Sequence, residues 1–308
     1  MTIRQLQYFL RIVELKSFSK AAVFLHVAQP ALGLQIRKLE DELEVKLLNR
    51  HSRGVSPTEA GLVLRDHAMI ILRQIERARL HLIDLAGPPR GKIAVGVTPT
   101  VNLVLAATLV SRCRDELPEV SITIAEAMSE TLMEWVESDR LDMAFTYNPG
   151  AVPGLVCEPL LIEDLCLAGP GDADRPIKDP VPFADLAGLP LILPSRPHGL
   201  RALMDEAADK NDIDLNVVIE IDSVHAAKEL VEKSIGYTVL PMGALHREVA
   251  DGRLKAATIG PPTLSRRMYL AYSGNHPESK ANTAVRQIIR RTVQDGLESG
   301  AWAWRAVE

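Results

Sequence analysis

Cysteine is scarce in this chain: three occur in 308 residues, at Cys113, Cys157 and Cys166, with no CxxC pair and no Cys/His cluster. That pattern offers neither a disulfide framework nor a zinc site, so reduced, structural thiols are expected, with no metal and no cofactor. Long apolar runs are missing too. The charge-free stretch from Val95 to Ser111 is interrupted by Gly96, Pro99 and Asn102 and falls short of the ~20 apolar residues a bilayer span requires. The N-terminal run MTIRQLQYFLRIVELK places Arg4, Arg11 and Glu14 inside its apolar pattern and lacks a small-residue cleavage site. It does not read as a signal peptide, and a cytoplasmic protein with no membrane partner is expected. The local signatures GxSxG, GxxxxGK, GxGxxG and HExxH are all absent, which argues against an enzyme. An α/β-fold enzyme stays as a rival class.

What is present is ordinary soluble-protein composition, 47% hydrophobic and 24% charged, at a length that suggests about two domains. The charge is unevenly spread. Residues 1 to 86 hold 13 Lys and Arg against 9 Asp and Glu, whereas the rest of the chain holds 22 against 31. The N-terminal end therefore suits a polyanion and the C-terminal end does not.

Three short helices can be read in the first 45 residues. Leu6, Phe9, Leu10 and Val13 fall at i, i+3, i+4 and i+7 and form one apolar stripe. Ser17 or Ser19 can cap a second helix, Lys20 to Leu25. After the turn His26-Val27-Ala28, a third helix opens at Gln29-Pro30, with proline where its missing N–H costs nothing. Leu32, Ile36, Leu39 and Leu43 give that helix a buried stripe, leaving Gln29, Gln35, Arg37 and Lys38 on the outward face. This is helix-turn-helix geometry, whose second helix enters the major groove. Two short arms, Leu47 to Arg50 and Val55 to Pro57, flank His51-Ser52-Arg53-Gly54 and read as a β-wing. From it Arg53 can reach a minor groove or phosphates, and Arg50 a phosphate. A compact helical cap with a hairpin is the plainer reading of the same spacing.

The run FLRIVELKSFSKAAVFLHVAQPALGLQIRKLEDELEVKLLNRHSRGVSPTEAG resembles the winged helix-turn-helix of LysR-type transcriptional regulators. AQPAL, RGVSPT and LPS bring it nearer the branch that includes nitrogen-assimilation control regulators. Members often carry Ser at positions 28 and 33 and a polar or basic residue at 34, where this chain has Ala28, Gly33 and Leu34. Any base contact from Leu34 is then apolar, for example to a thymine methyl. Gly33 weakens the helix by ~1 kcal/mol relative to alanine. The resemblance implies that Gln29 reads a base edge and that Pro30 makes an apolar contact. The DNA-facing set is Gln29, Pro30, Gly33, Leu34, Arg37, Lys38, Arg50, Ser52 and Arg53.

Thr58 can cap a long helix running to about Leu85. Leu64, Ala68, Ile71, Ile75, Ala78, Leu82 and Leu85 are spaced 4, 3, 4, 3, 4, 3, a heptad seam that calls for a partner helix. At 1.5 Å per residue such a helix spans ~42 Å, comparable with one turn of B-DNA. Packing on its own domain is the alternative. The family implies a homodimer and often a homotetramer on interrupted palindromic operators, with RNA polymerase as a further partner of an activator. Residues 1–58 then form the DNA-binding domain, 59–86 the dimerisation helix and 87–91, rich in Pro and Gly, a hinge.

From Lys92 onward strand and helix patterns alternate, so a mostly parallel sheet covered by helices is expected. This resembles the family's α/β, two-lobed, periplasmic-binding-protein-like effector domain. Lobe 1 is expected at about 92–162 and 267–308, and lobe 2 at about 163–266. Ligands of open α/β sheets settle beyond the carboxyl ends of strands, where helix starts offer N–H groups to anions. Thr98, Thr100, Ser129 and Thr146 occupy such positions in one lobe and Ser195, Arg196 and His198 in the other. Hydroxyls, an arginine and a histidine at helix starts suit a small carboxylate effector. Sensing of peroxide through Cys157 and Cys166 is less favoured, because no nearby base generates a thiolate. A ligand-independent architectural DNA binder stays open.

Overall fold

The computed structural model describes residues 1–51, 54–83, 87–172, 177–275, 278–300 and 302–307, and the chain divides into two compact units, Met1–Gly87 and Pro88–Glu308. In the first unit, helices α1 (Ile3–Leu15), α2 (Phe18–Phe24) and α3 (Gln29–Leu43) close around Phe9, Ile12, Leu32, Ile36 and Leu39, all fully buried. Each helix start has a local cause. Thr2 and Gln5 form a capping box on α1, and the Ser17 hydroxyl accepts from the Lys20 amide at 3.3 Å on α2. Of the two candidate caps, Ser17 takes the role, so α2 begins at Phe18. Helix α3 has Ala28 as its N-cap and no side-chain cap bond.

The wing is the antiparallel pair β1 (Leu48–His51) and β2 (Gly54–Pro57). Gly54 has φ +130°, and a Cβ there lies 2.6 Å from the Lys16 carbonyl oxygen, which also accepts from the Val55 amide at 3.0 Å. Only glycine fits this contact between wing and α1. Glu40 ties α3 to the wing by accepting from Leu47 N at 2.9 Å, Leu48 N at 3.2 Å and Lys46 Nζ at 3.1 Å. Burial pushes its carboxyl up, but these donors outweigh burial and hold it below the usual carboxylate range. Helix α4 (Glu59–Ile83) starts at Thr58, whose hydroxyl accepts from the Gly61 amide at 3.0 Å.

The second unit is built on a ten-stranded mixed sheet. In lobe 1, β3 (Gly91–Val97) is parallel to β4 (Val120–Glu126) on one side and β5 (Met143–Tyr147) on the other. In lobe 2, β7 (Leu191–Leu193) is parallel to β8 (Val217–Glu220) and β9 (Tyr237–Pro241). The expectation of a mostly parallel sheet is corrected by two long strands. β6 (Leu155–Pro170) and β11 (Ser265–Ser273) are antiparallel to each other, β11 is antiparallel to β5, and β6 is antiparallel to β9. Strand β10 (Leu254–Thr258) and the short β12 (Trp304–Arg305) also join β6 antiparallel. The reason lies in connection: lobes that exchange chain twice need strands running both ways across the junction. β6 pairs with β11 up to Asp164 and with β9 from Leu165, so one strand serves both lobes. Pro159, which cannot donate to the ladder, sits where the β6–β11 register slips.

Helices cover the sheet. Lobe 1 carries a continuous helical run made of α5 (Pro99–Val101), a π-helical turn (Asn102–Ala106) and α6 (Ala107–Glu116), with α7 (Ser129–Glu137) and the final helix α11 (Lys280–Ser299). Lobe 2 carries α8 (Gly199–Lys210), α9 (Val224–Glu232) and α10 (Met242–Ala250). The core of lobe 1 includes Val95, Leu105, Phe145, Leu270 and Ile288; that of lobe 2 includes Leu167, Leu193, Met204 and Val239.

Candidate functional site

A cavity of about 300 Å³ lies between the two lobes of the second unit, at the small end of the range for ligand pockets. Chain ends of parallel strands form its walls: Thr98 and Thr100 after β3, Tyr147 at the end of β5, and Asp222 after β8. Ser129 at the start of α7 and His198 before α8 complete the ring, and Arg266 enters from β11. The topology dictates this convergence, since parallel α/β units leave helix starts and strand ends on the same edge.

Arg266 is 6% exposed and Glu163, on β6, is 1% exposed. The guanidinium donates from Nε to Glu163 Oε2 at 2.8 Å and from Nη2 to Thr100 Oγ1 at 2.9 Å, and it lies 3.6 Å from the Tyr147 ring centroid. Glu163 also accepts from Trp304 Nε1 at 3.3 Å. Burial pushes the Tyr147 phenol up, so it stays neutral. A buried charge pair is tolerated because hydrogen bonds satisfy both partners, and here the partners are cross-strand neighbours on β6 and β11. At His198, Nδ1 accepts from the Leu200 amide at 3.0 Å, which leaves the ring proton on Nε2. Burial and the Arg266 charge push this imidazole down, keeping it neutral at pH 7.

Of the seven residues expected at an effector site, Thr98, Thr100, Ser129 and His198 line the cavity. Thr146, Ser195 and Arg196 do not. Successive strand residues face opposite ways, so Tyr147 reaches the cavity and Thr146 is buried on the other side of β5. Ser195 donates from N and Oγ to Asp222 Oδ1 at 2.9 and 2.6 Å and acts behind that carboxylate. Arg196 is exposed and pairs with Asp205 at 2.7 Å. Sequence reasoning misses Arg266 and Asp222 as wall residues, and of the strand end Thr146-Tyr147 it selects Thr146 where Tyr147 lines the cavity. The alternating strand pattern over residues 266–272 is the available signal for Arg266, but its partner Glu163 lies 103 residues away.

On the first unit, Gln29, Pro30, Leu34, Arg37 and Lys38 are exposed on α3 and Gly33 is half-buried, so the six share an outward face. Arg50, on β1, is exposed and stacks 4.3 Å from the Phe18 ring centroid. Ser52 and Arg53 lie outside the described residues. The seam on α4 is not presented whole. Ala68 is fully buried and Leu64 packs against the core of the first unit, because the start of α4 lies against α1. Ile71 is half-buried, and Ile75 and Ala78 are exposed. The side chain of Leu82, and Leu85, lie outside the described residues.

Residues 3–62 match the family model of the bacterial regulatory helix-turn-helix protein of the lysR family, and residues 86–294 match that of the LysR substrate binding domain. The chain belongs to the LysR family. This LysR-type protein is a DNA-binding transcriptional regulator with an effector-binding domain. It is 35% identical over 290 residues to the nitrogen assimilation regulatory protein nac of Klebsiella aerogenes, covering 94% of each chain. It is 30% identical over 291 residues to the hydrogen peroxide-inducible genes activator of Escherichia coli O157:H7, covering 94% of this chain and 95% of that one. Among solved structures, an H2O2-bound cysteine mutant of Corynebacterium glutamicum OxyR superposes with TM-score 0.64 at 26% identity, covering 96% of this chain and 94% of that one. Full-length CbnR complexed with its target DNA shares the fold, with TM-score 0.73 at 21% identity over 95% of this chain and 100% of that one.

The thiols of this LysR chain differ from a sensing pair in their environment. Burial pushes Cys113 up to about 11, Cys166 up to about 12, and Cys157 in the same direction, so all three are held as thiols. Cys157 and Cys166 are nine residues apart on β6, about 30 Å at the rise of a strand and far beyond the ~7 Å Cα limit of a disulfide.

Proposed function

We propose that this regulator is a self-associated, effector-gated DNA binder whose cavity takes a small carboxylate. Helix α3 enters the major groove, Gln29 reads a base edge, Pro30 and Leu34 make apolar contacts, and Arg37, Lys38, Arg50, Ser52 and Arg53 hold phosphates or groove walls. Gly33 leaves room for close approach. The exposed part of the α4 seam, Ile75 and Ala78, supports pairing of two chains, with assembly into a tetramer on an interrupted palindrome. Occupation of the cavity shifts the lobes and, through the paired heads, the bend of the bound DNA. The protein acts in the cytoplasm by binding, not by catalysis, and where it activates it meets RNA polymerase. Among the described residues no helix is long and apolar enough to cross a membrane.

One observation carries the effector reading. The start of α7, which has no side-chain cap, Thr98, Thr100 and Arg266 all line one cavity. Uncapped helix starts and guanidinium groups are donors to carboxylates.

The DNA half is tested with duplexes selected from the parent genome and measured by fluorescence anisotropy across a salt series. Gln29→Ala is expected to relax discrimination at one base by roughly tenfold. Arg37→Ala is expected to weaken all sequences alike and to lower the salt slope by about 1. Wild-type affinity and selectivity in both variants rule out α3 as the reading helix.

A further inference from the structure

We infer that the effector carries an ammonium group beside its carboxylate, so that the cavity is built for a small α-amino acid. This rests on the cavity taking a carboxylate, and it follows from how charge is divided between its two ends. One end supplies donors: Arg266, the Thr100 hydroxyl it holds, and Thr98, which is 5% exposed and whose buried hydroxyl has no hydrogen-bond partner among the described residues. A buried hydroxyl without a partner costs free energy unless something else completes it.

The other end is acidic. Asp222 accepts both Ser195 hydrogen bonds on Oδ1, and its Oδ2 accepts none among the described residues. Glu130, at the start of α7 in lobe 1, reaches lobe 2, where its Oε1 lies 3.9 Å from the position of a Cβ on Gly199. Neither acid has an ion-pair partner among the described residues, whereas the third acid of the wall, Glu206, is matched by Lys210 at 2.6 Å. Among the described residues no lysine lines the cavity, and the charge of Arg266 is already balanced by Glu163.

A plain carboxylate brought into this space adds a third uncompensated negative charge within a small volume, and like charges at close range repel. An ammonium lying between Asp222 and Glu130 removes that repulsion while the carboxylate keeps the Thr98, Thr100 and Arg266 donors. The two ends are close together. Both act on His198, which Arg266 pushes down and Asp222 and Glu130 pull up. A cavity of about 300 Å³ holds an amino acid with room for a modest side chain.

The test is calorimetric titration of the full-length protein with the twenty protein L-amino acids, with simple carboxylates (acetate, benzoate, succinate), and with the deaminated acid and decarboxylated amine of any amino acid that binds. At least one amino acid is expected to bind, its deaminated acid about tenfold or more weaker, and its amine not at all. Asp222→Asn and Glu130→Gln should each weaken the amino acid by about tenfold, the scale of one charge-assisted hydrogen bond, without weakening the deaminated acid. Both positions are exposed, so an unchanged thermal midpoint is expected to accompany the loss. Acids that bind as tightly as amino acids, with both variants silent, overturn the zwitterion and leave the carboxylate effector standing. Binding of the amine alone, or of no probe, overturns both.

Discussion

The two lobes repeat one layout, three parallel strands with helices starting at the cavity edge, yet they finish those helix starts differently. In lobe 2, His198 accepts from the Leu200 amide at the start of α8, and Ser223 accepts from the Ala226 amide at the start of α9. In lobe 1 neither Thr98 nor Met128 makes a side-chain cap bond. Lobe 2 satisfies these two helix starts from within the chain, although α10 has no side-chain cap, and the two lobe 1 starts at the cavity leave donors for something else. The lobes thus divide the labour at the cavity: these lobe 2 starts are finished from within, those of lobe 1 are left open for a ligand, and Glu163 with Arg266, cross-strand neighbours on β6 and β11, lies where the chain passes between lobes.

The largest effect is expected where both lobes meet. Glu163→Ala leaves the Arg266 charge buried without its counter-charge and also removes the acceptor of the Trp304 indole. A loss of about 3–5 kcal/mol is expected in urea unfolding of the full-length protein. The double replacement Glu163→Leu with Arg266→Met should recover most of it, since apolar residues of similar volume often replace a buried pair at little cost. A single variant losing less than ~1 kcal/mol shows that the pair does not clamp the junction.

The contrast between open and finished helix starts is probed by a pair of substitutions. Thr98→Val removes a buried hydroxyl that has no partner among the described residues, so stability is expected to hold or rise, while affinity for a bound carboxylate falls by about tenfold. Ser223→Ala removes a cap and is expected to cost about 1 kcal/mol of stability. Thermal unfolding with and without ligand measures both. A stability loss at Thr98 larger than that at Ser223 breaks the division of labour.

Legibility in the sequence follows the range of the interactions. The head reads nearly whole, because Leu32, Ile36 and Leu39 repeat at helical spacing and the outward polar set is simply what the stripe leaves over. Within the cavity, Thr98, Thr100, Ser129 and His198 are found because each follows a strand and begins a helix. Thr146 is misassigned because an offset of one residue on β5 decides which face a side chain takes. Arg266 is invisible for a different reason. A lone arginine in sequence looks like surface charge until Glu163 is known to lie beside it. β6 escapes as a strand because Pro159, Glu158, Glu163 and Asp164 break its apolar run, yet the register slip at Pro159 and the buried pair at Glu163 accommodate them. Ala68 shows the same limit, since heptad spacing cannot say whether the seam meets a second chain or α1.

The smallest expected effect tests whether the finished lobe is finished for neutral pH. Burial and Arg266 push the His198 imidazole below its usual value of 6.5. The unfolded chain therefore takes up a proton at this residue more readily than the folded one. Stability from this residue is present above 6.5 and is lost as pH falls through that value toward the depressed folded one. Asparagine keeps an oxygen acceptor for the Leu200 amide but does not titrate. Urea midpoints of wild type and His198→Asn at pH 7.5, 6.5 and 5.5 should thus converge or cross in favour of the variant as pH falls. Parallel curves sink the assignment, because they mean that the imidazole titrates alike in the folded and unfolded chains and that its neutral form is not what caps α8.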